Sequence, residues 1–437
     1  MPDLKHLARS LFAETLAGIS IPDTMRRKLR REDSRIRCAG SVINLREFDS
    51  LRVVAYGKAT HAMLEGLAAV LGPHFPFTGV ASAPVAPPRP LPGMRYFTGG
   101  HPLPNEDSLA AAREILALLA GCDERTLIFF LLTGGGSALV EQLLVPGSTL
   151  DDIQSLHRAL VTCGAPIDSM NAVRKHLSAV KGGRLAAAAP HAMKLSYGVS
   201  DVPPGRESAL ASGPSIPDPT TREDAARVIK QFALEEKFPP RLREWLAQNS
   251  LPETPKDGDP IFALSHFELL LGMEDLFAAA RSAASAAGCV VACDNSTDDW
   301  PVRDAAAHLL DQLEKLRAAH PGRLVALIAD GEVSCPVTGP GSGGRNAAFV
   351  LACVEQLAGR HAAVLSAGTD GIDGNSPAAG ALADGQTLAR ARAAQLDPVG
   401  YFLRSDAHTF FARLGDSILT GPTGNNLRDL RILLAAG

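Results

Sequence analysis

The chain is short of cysteine and has no CxxC pair. Seven cysteines (Cys38, Cys122, Cys163, Cys289, Cys293, Cys335 and Cys353) are scattered over 437 residues. An odd, dispersed set offers no disulfide framework. Cys289 and Cys293 lack a second pair at zinc spacing, so reduced thiols are expected. There is no run of about 18 apolar residues, hence no membrane span is expected. The amino terminus, MPDLKHLARSLFAETL, lacks a signal-peptide core and reads as an amphipathic helix over 3–19, which makes the cytoplasm the expected compartment. An excess of one charge is missing too. The net charge of −4 gives no electrostatic case for nucleic acid or an anionic membrane, so any anion site must be local. H-E-x-x-H, G-x-S-x-G and the protein-kinase signatures are all absent. What remains is phosphate chemistry carried by glycine loops, cations and dispersed aspartates.

Glycine is concentrated in TGPGSGGRNAA (338–348), where Gly339, Gly341, Gly343 and Gly344 precede Arg345 and a helical run from Asn346. Free N–H groups at a helix start, a glycine-rich loop and a guanidinium together suit a multiply charged anion. The loop alone fits a flexible surface segment equally well. Residues 339–344 also satisfy G-x-G-x-x-G, but the apolar strand 324–329 ends well before Gly339. The dinucleotide reading therefore ranks second.

Short apolar runs alternate with helical stretches along the whole chain. Strands are expected at 52–56, 79–83, 126–132 and 195–202, with helices at 59–70, 149–162 and 178–189. A further helix, capped by Asp107 or Ser108, should run through Leu119. That alternation predicts an open, largely parallel α/β sheet, with ligands beyond the carboxyl ends of its strands. Gly57-Lys58, the Gly134–Gly136 loop and Ser200-Asp201 fall at such ends. The proline-rich 238–260 stretch reads as a domain boundary and hinge, dividing the chain into 1–240 and 255–437. Strands are expected in the second part at 261–265, 289–293, 323–329, 362–366 and 417–420. Helices are expected there at 270–287, 302–319, 346–358, 380–394 and 406–413.

Lys58 after a glycine can reach a phosphate as a point charge, although its position alone reads as a surface lysine. The run NAVRKHLSAVKGGRLA (171–186) holds Arg174, Lys175, His176, Lys181 and Arg184 around Gly182-Gly183. A basic strip in an acidic protein fits anion binding better than bulk solubility. Asp201, Glu207 and Asp218 share a long polar loop. Asp370 and Asp373 sit among glycines in GTDGIDGN, without the spaced ligands of a calcium loop. Such carboxylates either hold Mg²⁺ or position a hydroxyl, or they are ordinary turn residues.

Together these stretches resemble the class II glycerate kinases, the glycerate 2-kinases of the MOFRL family. The resemblance spans nearly the whole chain. It rests on TGGHPLPNEDSLAAAREIL (98–116), LLTGGGSALV (131–140), the 171–186 run, SDVP with ASGPSIPDPTT (200–221), GSGGRN (341–346), SAGTDGIDG (366–374) and GPTGNNLRDL (421–430). It implies two α/β domains around a cleft, the larger Rossmann-like with a mostly parallel sheet. The final helix of the second is free to pack back on the first. It also implies ATP-dependent phosphorylation of D-glycerate at O2 with Mg²⁺. Lys58 and Arg345 match the family's active-site lysine and arginine, and Asp201 and Asp370 are the carboxylates for catalysis or metal. Gly134, Gly135, Gly136, Ser137, Asn171, Arg174, Lys175, Lys181, Gly339, Gly341, Gly343, Gly344 and Asn346 are the expected substrate and phosphate contacts. The chain departs from the family pattern at Arg206-Glu207, Ala347-Ala348 and Pro377. The partners expected are D-glycerate and ATP, with a homodimer the default assembly. An NAD(P)H-dependent hydroxypyruvate reductase and a non-catalytic nucleotide or sugar-phosphate sensor are the rivals.

Overall fold

A computed structural model describes every residue except Met1, Pro2, Ala39, Asp201, Pro203, Pro204 and Gly437. Its contacts divide it into two units, Ile21–Gly272 and Met1–Ser20 with Met273–Gly437.

In the unit Ile21–Gly272, a small antiparallel sheet comes first, of β1 (Arg31–Glu32), β2 (Arg35–Cys38) and β3 (Ser41–Asn44). The main sheet has β4 (Ser50–Tyr56), β5 (Thr78–Ala83), β6 (Met94–Thr98), β7 (Thr126–Thr133), β8 (Met193–Val199) and β9 (Ser265–Leu271). Every pairing in it is parallel, in the order β6-β5-β4-β7-β8-β9. Counted from β4, this is the doubly wound order of a dinucleotide-type fold, whose direction of winding reverses between β4 and β7. A parallel sheet must be covered on both faces, and TLIFFLLT of β7 is buried along its whole length. Its alternate residues Ile128, Phe130 and Leu132 join Val54, Tyr56 and Val80 in one cluster with Ala112, Ile115 and Leu119. Those last three lie on the helix Glu106–Ala120, which is capped by Asn105 and not by Asp107 or Ser108. Ser108 closes the reciprocal capping box three residues on.

Edge strand β6 was not foreseen, because MRYFT is only half-buried and follows a proline-rich loop. The helix expected at 178–189 is instead a helix over Ile167–Leu177 and a single turn at Arg184–Ala187. The first helix ends where Ser178 turns extended (φ −97°, ψ 142°), and Gly182 and Gly183, at positive φ of 56° and 79°, lead into the second turn. Within 238–260, Pro240–Gln248 is a helix. Its Leu242 is buried with Phe238, Ile229 and Leu160 inside this same unit. The chain leaves the unit after β9, at Gly272–Met273.

The second unit holds a mixed sheet of β10 (Val290–Asp294), β11 (Leu324–Asp330), β12 (Ala362–Gly368), β13 (Gly380–Asp384), β14 (Ser417–Ile418) and β15 (Asp429–Ala436). The order is β10-β11-β15-β12-β13-β14, with only β10 and β11 parallel. Two expectations are corrected. Residues 380–394 open as strand β13 and become helical only at Thr387–Ala393. The last element is not a helix: β15 inserts antiparallel between β11 and β12. Its Leu/Ala-rich sequence suits a strand covered on both faces, where no alternation marks it. The helix Leu4–Gly18 belongs to this unit, with Lys5 Nζ 2.7 Å from Asp416 Oδ2. The expected α/β class, with a Rossmann-like parallel sheet in the larger unit, is what the structure shows.

Candidate active site

The point of reversal in the parallel sheet is built by β4 and β7. Gly57 leaves β4 at φ 132°, and a Cβ there would stand 2.1 Å from Thr133 Oγ1. The Lys58 N–H donates to the Gly134 carbonyl (3.0 Å), and the Ala59 N–H to Thr133 Oγ1 (3.1 Å). The two strand ends are thereby laced together. Gly135 follows in the left-handed region at φ 79° and opens the single turn Gly136–Leu139. A Cβ on Gly135 would meet Lys58 Cγ at 3.2 Å and the His101 ring at 3.2 Å. Lys58, His101 and the glycine turn therefore form one corner beyond the strand ends. Ser137, in the same turn, shares a 2.8 Å hydrogen bond with Ser212. His101 was missed as a site residue, although it lies in the quoted TGGHP stretch. Gly57→Ala is expected to destabilise the protein by about 1–3 kcal/mol through overpacking and strain. A thermal melt beside a wild-type control checks this.

The basic run 171–186 comes to the same unit, but two of its lysines are spent internally. Lys175 donates to Asp218 (3.0 Å), whose other oxygen accepts from Thr254 (2.9 Å). Lys181 donates to Glu141 (2.6 Å) and to the Val140 carbonyl (3.3 Å). His157 (3.2 Å) and Ser178 (2.6 Å) complete the ring of partners around Glu141. Burial alone would raise the Glu141 pKa, but Lys181 and His157 outweigh it and hold the carboxyl down at about 2. Arg174 reaches Asn171 Oδ1 at 3.4 Å and keeps a buried Nε–H without a partner. Arg184, later in the run, likewise keeps a buried Nε–H without a partner.

Arg345 opens the helix Arg345–Leu357 in the second unit. The anion expected at this helix start is already present as a side chain. Asp373 accepts the N–H groups of Asn346 (3.0 Å) and Ala347 (2.9 Å). The loop amides are engaged as well: Gly341 donates to the Arg404 carbonyl, Ser342 to Asp406 and Gly343 to Asn375. Packing explains the glycines, since a Cβ on Gly341 would stand 2.5 Å from Asp406 Cβ and one on Gly344 2.3 Å from Asp373 Oδ1. Arg345 itself donates through Nε to Asp429 and through its terminal nitrogens to both oxygens of Glu332 (2.8 and 2.6 Å). Burial would lower its pKa, but Asp429 and Glu332 prevail and raise it.

Behind Arg345, Arg428 pairs with Asp298 at 2.6 Å. Asp330, at the end of β11, is fully buried with neither carboxylate oxygen hydrogen-bonded and Arg428 only at 3.9 Å. Burial pushes its pKa up to about 6. A raised carboxyl pKa means the native state binds this proton more tightly than the unfolded chain. Stability therefore falls as pH rises from about 4 to 6, and the cost persists above that. Asp330→Asn is expected to stabilise the protein by up to about 3 kcal/mol at pH 8 and to lose that advantage below about pH 4. Melting both proteins across pH 4–8 measures this.

Asp201 lies outside the described residues. Asp370 is half-buried, and its Oδ1 accepts the Ile372 N–H at 3.0 Å. No group of three or more His, Cys, Asp or Glu converges as a metal cage among the described residues.

Residues 7–247 match the model of a domain of unknown function (DUF4147), and residues 325–429 match the MOFRL family. The chain is 35% identical to a D-glycerate 2-kinase of Thermotoga maritima, over 88% of this chain and 90% of the relative. It is 36% identical to a putative hydroxypyruvate reductase of Agrobacterium vitis, over 87% of this chain and 86% of that one. The crystal structure of a Thermotoga maritima glycerate kinase superposes with a TM-score of 0.85 at 31% identity, covering 99% of each chain.

Proposed function

The chain belongs to the MOFRL-family glycerate 2-kinases, and from that premise we propose that it transfers the γ-phosphoryl group of ATP to the 2-hydroxyl of D-glycerate, giving 2-phospho-D-glycerate and ADP. One observation carries the reading: Lys58 and the Gly134–Ser137 turn meet where the winding of the parallel sheet reverses, the place where such sheets take phosphorylated ligands. The O2 oxygen of glycerate attacks phosphorus as the bond to the ADP oxygen breaks. Charge accumulates on the oxygens of the transferring group, and little covalent chemistry falls to the protein. Lys58 supplies a point charge to those oxygens, and the Gly135 turn supplies backbone N–H groups. The family resemblance assigns Arg345 the substrate carboxylate or the phosphoryl group. Asp201 and Asp370 are the carboxylates for the hydroxyl proton and for Mg²⁺. These carboxylates would hold Mg²⁺, which would supply charge neutralisation at the phosphoryl group.

The reductase name on some relatives makes hydride transfer the rival. The doubly wound sheet would accept a dinucleotide, but Gly57-Lys58 after β4 is not the glycine fingerprint of that site. The deciding experiment measures ADP release from ATP and Mg²⁺ with and without D-glycerate, and identifies the product by NMR. Glycerate-dependent ADP with phosphate on O2 is the expected result. NADH oxidation with hydroxypyruvate, in place of ADP release, would overturn it.

A further inference from the structure

Arg345 presents a difficulty for any anion that approaches it. Its guanidinium already faces two carboxylates, Glu332 across both terminal nitrogens and Asp429 at Nε. The two differ in setting. Asp429 is 5% exposed, whereas the Glu332 side chain is 43% exposed and Arg345 35%. The Glu332 backbone is pinned, its N–H donating to Asp298 (2.8 Å) and its carbonyl accepting from Asp299 (2.8 Å). Only the side chain is left to move. A fork of two parallel N–H groups is also the geometry by which arginine grips a substrate carboxylate or phosphate. Glu332 thus covers the edge of Arg345 that an oxyanion would use, and Asp429 anchors the opposite edge.

We propose that Glu332 is a positioning residue that holds Arg345 in register in the free protein and gives up the guanidinium edge to an incoming oxyanion. The proposal rests on the reading of Arg345 as a ligand contact. It adds that the affinity of the site is set by competition between a resident carboxylate and the substrate's own. When the ligand binds, the displaced Glu332 turns to solvent, which its exposure permits, while Asp429 keeps Nε in place.

Orthophosphate is the probe, titrated calorimetrically into the full-length wild type, Glu332→Gln, Arg345→Ala and the double variant. Removing the competing charge is expected to tighten phosphate binding by about tenfold in Glu332→Gln, the size of one charge-assisted hydrogen bond. The gain should vanish in the Arg345→Ala background. Glu332→Asp, which retracts the charge by one methylene, should shift affinity the same way by less. For turnover, Glu332→Gln should lower KM for the anionic substrate without raising kcat, because Arg345 has lost its guide. A merely structural Glu332 would not split KM from kcat in this way. Unchanged or weaker phosphate binding in Glu332→Gln overturns the proposal, and so does a gain that survives in the double variant. The titration needs no turnover, so failure of glycerate phosphorylation and failure of this competition are read separately.

Discussion

Lys58→Ala is expected to lower kcat for glycerate-dependent ADP formation by about 10²–10³-fold, or about 2.7–4 kcal/mol of barrier. The size follows from the placement. Lys58 stands at the end of a central parallel strand, its stem beside Gly135, and its backbone is fixed by the Gly134 carbonyl. A charge held there needs no reorganisation when negative charge develops on a transferring phosphoryl group. Stability should hardly change, since the side chain is only half-buried and the strand ends are laced by Thr133 and the backbone. Lys58→Arg should restore little, because a planar fork cannot replace a compact ammonium beside a glycine turn. Steady-state kinetics with ATP and D-glycerate, paired with circular-dichroism melts, make the measurement. Turnover within about threefold of wild type in Lys58→Ala would sink the assigned role.

The largest loss of stability is expected from Glu141→Gln. Glu141 is buried with Lys181, His157 and Ser178, and the neutral amide leaves the Lys181 charge buried without its counter-ion. Breaking such a pair from one side costs about 3–5 kcal/mol. At about 2–4 °C per kcal/mol for a unit of this size, the melting midpoint should fall by on the order of 10 °C. Removing both charges, as in Glu141→Gln with Lys181→Met, should recover part of the loss. The pH dependence has a definite sign. The folded carboxyl titrates near 2, below its unfolded value, so its contribution is present above about pH 4.5 and is lost as pH falls toward 2. Wild type should therefore lose this increment in acid, and Glu141→Gln should not. The network lies directly after the turn Gly136–Leu139, so the double variant separates a loss of activity from a loss of folding.

Glu141 also shows where sequence reasoning stopped. LLTGGGSALV placed a glycine turn at the end of a buried strand, and the structure has it there, beside Lys58. Glu141, one residue beyond that stretch, carried no local signal. Its partner Lys181 is 40 residues away and was grouped with Lys175 as a cation for the ligand. Asp373 was read only as a carboxylate among glycines, and it caps the helix that begins 28 residues earlier at Arg345. Glu332 and Asp429 were not singled out, yet they define the charge that Arg345 experiences.

What the sequence determined by itself were the features whose causes are local. Apolar runs ending in glycine or polar residues marked β4, β7 and β8, because a central parallel strand must be buried on both faces. Alternation of strand and helix then made the sheet parallel and placed Lys58 and Gly134–Gly136 at its carboxyl edge. Tertiary structure alone decided which charges are spent and which remain. The partner of a buried charge is set by low-dielectric contact between segments far apart in the chain, and the penalty for leaving it unpaired is too large for any local preference to override. Hence Lys175 and Lys181 turn inward, the amides beyond Arg345 are claimed by Asp373, and the Arg345 guanidinium is shared between Glu332 and Asp429.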